Sequence, residues 1–257
     1  NGIAAVTASL PSIERFVVGR FRSPYLVGDP AAFDPDARFQ IDMKSGAGGV
    51  QSDDVPWVLV VPKSPAPRAQ PFPVVVWGHD EHGHAKDALL YGGDYARQGV
   101  ALLAYDQPGR GIIVADSSGL SASCVEGWTG GRARTRDPQP WWTAHVAHDR
   151  DMLRQGALDG MNLVRILRTG AIAGVGGPDG PIFAAGMGLG AITTTLLGAT
   201  DPEIRATAPI AGGGGLVSDI VLRSAGTDAR ADSELLGPWV YAVPASERTE
   251  TRCKAPQ

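Results

Sequence analysis

Three short stretches carry residues whose types and spacing can do chemistry. The first is His79-Asp-Glu-His-Gly-His84, with Asp87 just behind it and Asp106 further along. Imidazoles and carboxylates gathered this closely are the donor set of a zinc or other transition-metal centre, so His79, His82, His84 and Asp106 form one candidate site. The second is Asp106-Gln-Pro-Gly-Arg-Gly111, and the third is Gly186-Met-Gly-Leu-Gly190. The third has glycines at both outer positions of the G-x-S-x-G turn that presents a serine nucleophile between a strand and a helix. Gly188 stands where the serine would be, and a residue without an oxygen forms no acyl-enzyme. A glycine there also tolerates backbone angles that cost a serine about 1–3 kcal/mol.

Other nucleophiles and ligands fit less well. Ser117, Ser118, Ser121, Ser123 and Cys124 lie in a stretch with no such turn around them, so they read as polar loop residues. The hydroxyls of Thr193, Thr194 and Thr195 fall inside the helix that follows Gly190 and read as packing residues. Asp34, Asp36 and Asp42 suggest calcium but lack the glycine turn and closing glutamate of an EF-hand loop, which leaves a solvated loop. Cys124 and Cys253 have no paired spacing, and one disulfide or two inert thiols both remain open.

The elements that must position these stretches alternate between strand and helix. Ile13 to Val27 reads as a strand with Phe16, Val18 and Phe21 near a period of two, and Val55 to Pro62 as a second. A loop with four prolines, Pro65 to Pro73, opens into Val74-Val-Val-Trp77, a continuous apolar run typical of a strand buried on both faces. A helix over Ala85 to Gln98 then leads to a second buried strand, Val100 to Tyr105. Residues 107–142 read as a long excursion, where Trp128, Trp141 and Trp142 either line an acyl-binding cavity or simply pack against the sheet. His145 to Arg168 has the strongest helical period, with Leu153, Ala157, Met161, Val164 and Leu167 on one face and Gly170 beyond its end. A strand Ile182 to Ala185, a helix Ala191 to Ala199 and a strand Ile204 to Ala211 follow, and Trp239 to Val243 offers one more strand.

This alternation implies an α/β chain with a mostly parallel sheet covered on both faces and its site at the carboxyl ends of the strands. The organisation reads as a tail over 1–12, N-terminal strands over 13–66, a core over 67–215 and a C-terminal segment over 216–257. With 257 residues, 43% of them hydrophobic and 19% charged, the chain is long enough for one sizeable core. A net charge of -4 with interleaved signs and no basic stripe argues against a nucleic-acid partner. No apolar run reaches the roughly 18 to 20 residues of a membrane-spanning helix. The chain starts at Asn1 without a signal-peptide pattern, which reads as a processed, trimmed or partial chain.

The order His79-Asp80, Asp106-Gln-Pro-Gly-Arg-Gly111, Asp151-Met-Leu-Arg-Gln155, Gly186 to Gly190 and Ala208-Pro-Ile-Ala-Gly-Gly-Gly-Gly215 resembles the α/β-hydrolase superfamily of esterase and lipase type. More narrowly it resembles bacterial virulence-factor lipase-like proteins. The resemblance covers about residues 55–215 and implies a carboxylic-ester hydrolase scaffold needing no cofactor, placed outside the cytoplasm. It implies that Gly186 and Gly190 pack the elbow and that Leu189 and either Glu81 or Asp80 supply the oxyanion-hole N–H groups. Asp80 departs from the flexible glycine usual at that point.

The chain order of such triads is Ser, then acid, then His, yet the five histidines, 79, 82, 84, 145 and 148, all precede the elbow. Asp219, Asp228 and Asp232, which follow the strand end at Gly212 to Gly215, are the candidate acids, although the usual position comes after a later strand. The expectation is therefore a hydrolase scaffold inactive as this chain and incomplete on its C-terminal side. A second polypeptide would cover the sheet edge left at Ile204 to Ala211. The alternatives are a non-catalytic module that binds a lipid, an ester or a protein on the same scaffold, and the metal site.

Overall fold

A computed structural model describes residues 2–30, 34, 37–42, 44–64, 69–80, 83–109 and 146–213. Six strands form one mixed sheet: β1 Ile13–Tyr25, β2 Gln51–Pro62, β3 Val74–Gly78, β4 Ala101–Tyr105, β5 Ile182–Met187 and β6 Ile204–Ile210. Their order is β1-β2-β4-β3-β5-β6. The pairs β1–β2 and β2–β4 are antiparallel, while β4–β3, β3–β5 and β5–β6 are parallel. The helices are α1 Gly2–Ser9, α2 Asp87–Arg97, α3 Val146–Arg168 and α4 Leu189–Thr200, with a short 3₁₀ turn at Leu10–Ser12. None of the described helices is long and apolar enough to cross a membrane.

Every residue of β3 and β4 is buried, as their unbroken apolar runs require of strands covered on both faces. One face of the sheet packs Leu59, Val76, Leu103 and Tyr105 against Leu163, Val164 and Leu167 of α3. The other packs Val60, Val75, Trp77 and Leu102 with Ala88 of α2. The spacing of Leu163, Val164 and Leu167 follows the helical period, and each fully buried leucine contributes about 1.5–3 kcal/mol. Helix α3 stops where Gly170 takes a φ of 71° and donates its N–H to Leu167 O.

The structure refines several boundaries. β2 begins at Gln51, four residues before the apolar run at Val55, because it stays paired with β1 as far as Tyr25. Phe16 and Val18 lie on the exposed face of β1, whereas Phe21 is turned into the core. The three do not share a face, because two even positions and one odd one point to opposite sides of a strand. β5 runs to Met187 and α4 starts at Leu189, so a single residue, Gly188, makes the turn. The excursion from residue 110 to 145, including Ser117 to Cys124 and the three tryptophans, lies outside the described residues, as do Asp219, Asp228, Asp232, Cys253 and Trp239 to Val243.

Candidate functional site at the strand ends

The turn from β5 into α4 is held by backbone. Gly186 pairs with Gly78 of β3, and Met187 with Ile210 of β6. Gly188 has φ 56° and ψ -120°, donates its N–H to Ile210 O at 3.0 Å and accepts the N–H of Ala191 at 3.1 Å. Such a φ strains any residue with a side chain, which is the conformation a nucleophile elbow imposes. Gly190 lets α4 touch β3: a Cβ there would overlap Gly78 O and come 2.5 Å from His79 O.

The space above Gly188 is occupied by Asp80 from the end of β3. A Cβ on residue 188 would fall well inside van der Waals contact of Asp80 Oδ1 and 2.9 Å from Oδ2. The same Oδ1 accepts the N–H of Leu189 at 3.2 Å. The N–H of Leu189, in the first turn of α4, thus holds a carboxylate from this chain. Asp80 meets the elbow through its side chain, while Glu81 lies outside the described residues. The expectation that residue 80 donates a backbone N–H to the hole did not anticipate a carboxylate accepting from Leu189.

His79 is buried at 1% exposure, and both its ring nitrogens are used: Nε2 accepts the N–H of Gln107 at 3.0 Å, and Nδ1 lies 2.8 Å from Asp80 O. The acceptor role of Nε2 makes Nδ1 the protonated nitrogen that donates to Asp80 O. Gln107 Nε2 donates to His79 O at 2.8 Å, and Gln107 Oε1 accepts the hydroxyl of Thr193 at 2.9 Å. One fully buried amide therefore ties the ends of β3 and β4 to α4. Thr193, read from sequence as packing, is part of this network, and Gln107 was named only as a letter of a turn. The available signal was its place directly after a fully buried strand and Asp106, where a polar side chain must find partners.

Asp106 is buried, and its Oδ1 accepts the N–H of Ala85 at 2.6 Å, which fixes the entry to α2. His84 Nδ1 faces Asp87 Oδ1 at 3.5 Å. Burial raises the Asp87 carboxyl above its ordinary value, and the neighbouring His84 draws it the other way. Among the described residues no group of three His, Cys, Asp or Glu side chains is placed to hold a metal, and His82 lies outside them. In this arrangement one nitrogen of His79 accepts from Gln107 and the other is the protonated donor to Asp80 O, so both are committed to the strand ends.

Asp42 accepts the Ser45 hydroxyl at 2.7 Å and the Lys44 N–H at 2.8 Å, contacts that lower its carboxyl pKa and make it the residue that closes its own turn. Asp36 lies outside the described residues. The Asp151 to Gln155 segment of α3 has a structural role. Asp151 binds Arg150, Arg154 and the N–H of Phe39, while Gln155 binds Leu26 N, Pro24 O and Asp159. This fastens the end of β1 and the chain after it to the helix.

No family model matches this chain, and no curated protein matches it either. Solved structures do. Acetyl xylan esterase 1 from Thermoanaerobacterium sp. is 15% identical with a TM-score of 0.46, over 96% of this chain and 68% of that one. A carboxyl esterase from Bacillus coagulans is 15% identical with a TM-score of 0.42, over 88% of this chain and 59% of that one. A cold-adapted esterase from an Arctic intertidal metagenomic library is 17% identical with a TM-score of 0.38, over 74% and 59%. This chain spans 59% of the length of each of the latter two. Its fold is α/β-hydrolase-like on its own strand order and on the one-residue turn at Gly188.

Proposed function

We propose that this chain is a carboxylic-ester hydrolase scaffold whose elbow no longer performs serine chemistry and works as a non-catalytic binding module. The observation that carries this reading is the position of Asp80. Its carboxylate fills the volume a nucleophile side chain at residue 188 would need and engages the N–H of Leu189. An oxyanion forming at Leu189 would have to displace that carboxylate, and a negative charge already in the hole repels a second one. Gly188 and Asp80 are on this reading a matched pair: the absence of a side chain at one position makes room for the carboxylate at the other.

The test is a pair of measurements, of stability and of ester turnover, on the unmodified chain, Gly188→Ser, Asp80→Gly and the two changes combined. Gly188→Ser alone is expected to lower stability by about 1–3 kcal/mol, because it adds both backbone strain and a clash. The double variant is expected to recover the clash share, a coupling read from urea midpoints as a double-mutant cycle. The unmodified chain is expected to release no p-nitrophenolate from p-nitrophenyl butyrate. Ester turnover by the purified unmodified chain, retained in Asp80→Ala, would defeat the proposal.

A further inference from the structure

Strand β1 ends the sheet on the side away from β6, and its outer edge is only partly engaged. Along an antiparallel strand, alternate residues turn both N–H and C=O to the same side. The carbonyls of Arg22 and Pro24 and the N–H of Leu26 turn away from β2, because Asn162 and Gln155 of α3 hold them. The even positions of β1 therefore point out of the sheet, and Phe16 and Val18 belong to the same row. At one end of that row Arg20 has a contact of its own and α3 holds the positions beyond it. At the other end a bulge between Ile13 and Arg15 breaks the register. The outward backbone groups of Phe16 and Val18 lie between, and no strand among the described residues pairs with them. Edge strands are usually blunted by charged side chains. Here Glu14 and Arg20 stand at the two ends, while Phe16 and Val18 between them are 43% and 46% exposed on one face.

We propose that β1 pairs antiparallel with β1 of a second copy of this chain, about a twofold axis at Val17. That axis sets Phe16 directly opposite Val18 of the other copy, and Val18 opposite its Phe16, so the outward N–H and C=O groups of both positions are used. Directly opposed apolar side chains of this kind are what stabilise a strand pair. The occupant is a second copy because the stretch is its own complement. Read in reverse, Glu14-x-Phe16-x-Val18-x-Arg20 meets itself as acid to base and apolar to apolar. The exposed end charges add little energy, and their agreement in sign favours this register over its neighbours. So short a contact falls below the roughly 1,200 Å² of a standard interface, which makes the dimer weak and dependent on concentration. The inference goes beyond the elbow reading and does not rest on it, since β1 and the Gly188 turn lie towards opposite edges of the sheet.

The experiment is sedimentation of the whole chain from about 1 μM to 1 mM, the range that reads a weak dissociation constant. It is run beside Phe16→Lys with Val18→Lys, Phe16→Lys with Val18→Glu, and Leu90→Lys as a control at an exposed leucine of α2. Circular dichroism checks that each variant keeps its fold. The unmodified chain is expected to pass from monomer to dimer. The double lysine variant opposes like charges across the axis and is expected to weaken the dimer by about tenfold or more. The lysine–glutamate variant opposes unlike charges and is expected to recover the dimer, whereas an axis at Val18 would set glutamate against glutamate. Leu90→Lys is expected to change nothing. Hydrogen exchange on the unmodified chain needs no substitution: the amides of Phe16 and Val18 are expected to gain protection only as concentration rises. A chain that stays monomeric throughout overturns the proposal, with those amides exposed or with them protected at every concentration by another part of the same chain. A dimer indifferent to the double lysine change overturns it too, as does a lysine–glutamate variant no better than the double lysine one.

Discussion

The end of β5 and the ends of β3 and β4 lie side by side, yet they are held together by different kinds of atom. The elbow at Gly188 is made of backbone: glycine contacts, the Ile210 carbonyl and the first turn of α4. Its neighbours are made of side chains: His79, Gln107, Thr193 and Asp106 are all buried with their polar atoms bonded to one another or to main chain. A turn made of backbone keeps its shape without a side chain at its tip, because no fold-holding contact passes through one. A side-chain network cannot lose a member without stranding the rest.

The two regions therefore break in different ways, and the largest effect belongs to the backbone contact. Gly190→Ala places a methyl group into Gly78 O and within 2.5 Å of His79 O. Main-chain atoms of a central strand cannot step aside as a flexible side chain would, so α4 must lift from β3. A loss above about 4 kcal/mol is expected, most of the stability of a domain at the lower end of the ordinary range of about 5–15 kcal/mol. Urea denaturation followed by circular dichroism measures it, and a variant with the parental midpoint would show that the close approach carries little.

Gln107→Leu probes the side-chain region and is expected to cost about 2–3 kcal/mol. It removes the donor to His79 O and the acceptor for the Thr193 hydroxyl, and both partners are buried. The Thr193 hydroxyl keeps Leu189 O as an acceptor at 3.2 Å, and adding Thr193→Val removes only the other half of a bond already lost, so the double variant is expected to be more stable than the sum of the two single changes predicts. Strict additivity in that cycle would mean that the network is a set of independent contacts.

The same contrast explains what the sequence could disclose. The buried runs of β3 and β4 and the glycines of the elbow are local patterns, and they put the strand ends and Gly188 where the structure has them. Asp80 reaches Leu189 across 109 residues of sequence, and Gln107 reaches Thr193 across 86. A composition that permits those bonds also permits many others. The inward face of β1 was equally hidden, because Phe16, Val18 and Phe21 are alike in type and only Phe21 turns into the core.

Asp151 gives the smallest expected effect and sharpens the comparison through pH. Its side chain is 1% exposed, and its oxygens accept from Arg150, Arg154 and the N–H of Phe39. Burial works to raise its pKa, but these donors outweigh burial and hold it below the ordinary carboxylate value. A carboxyl depressed in the folded state contributes all its stability above the unfolded value near 3.9, and loses it as pH falls through the folded one. Asp151→Asn is therefore expected to be less stable than the parent at pH 7 by about 1 kcal/mol, a modest figure because both arginines are half exposed. That gap is expected to narrow between pH 4 and pH 2, as urea midpoints at the three values would record. Gln107→Leu, whose broken bonds involve no carboxylate, is expected to keep the same gap over that interval. A pH-independent gap for Asp151→Asn would mean that shape, and not charge, joins α3 to the chain after β1.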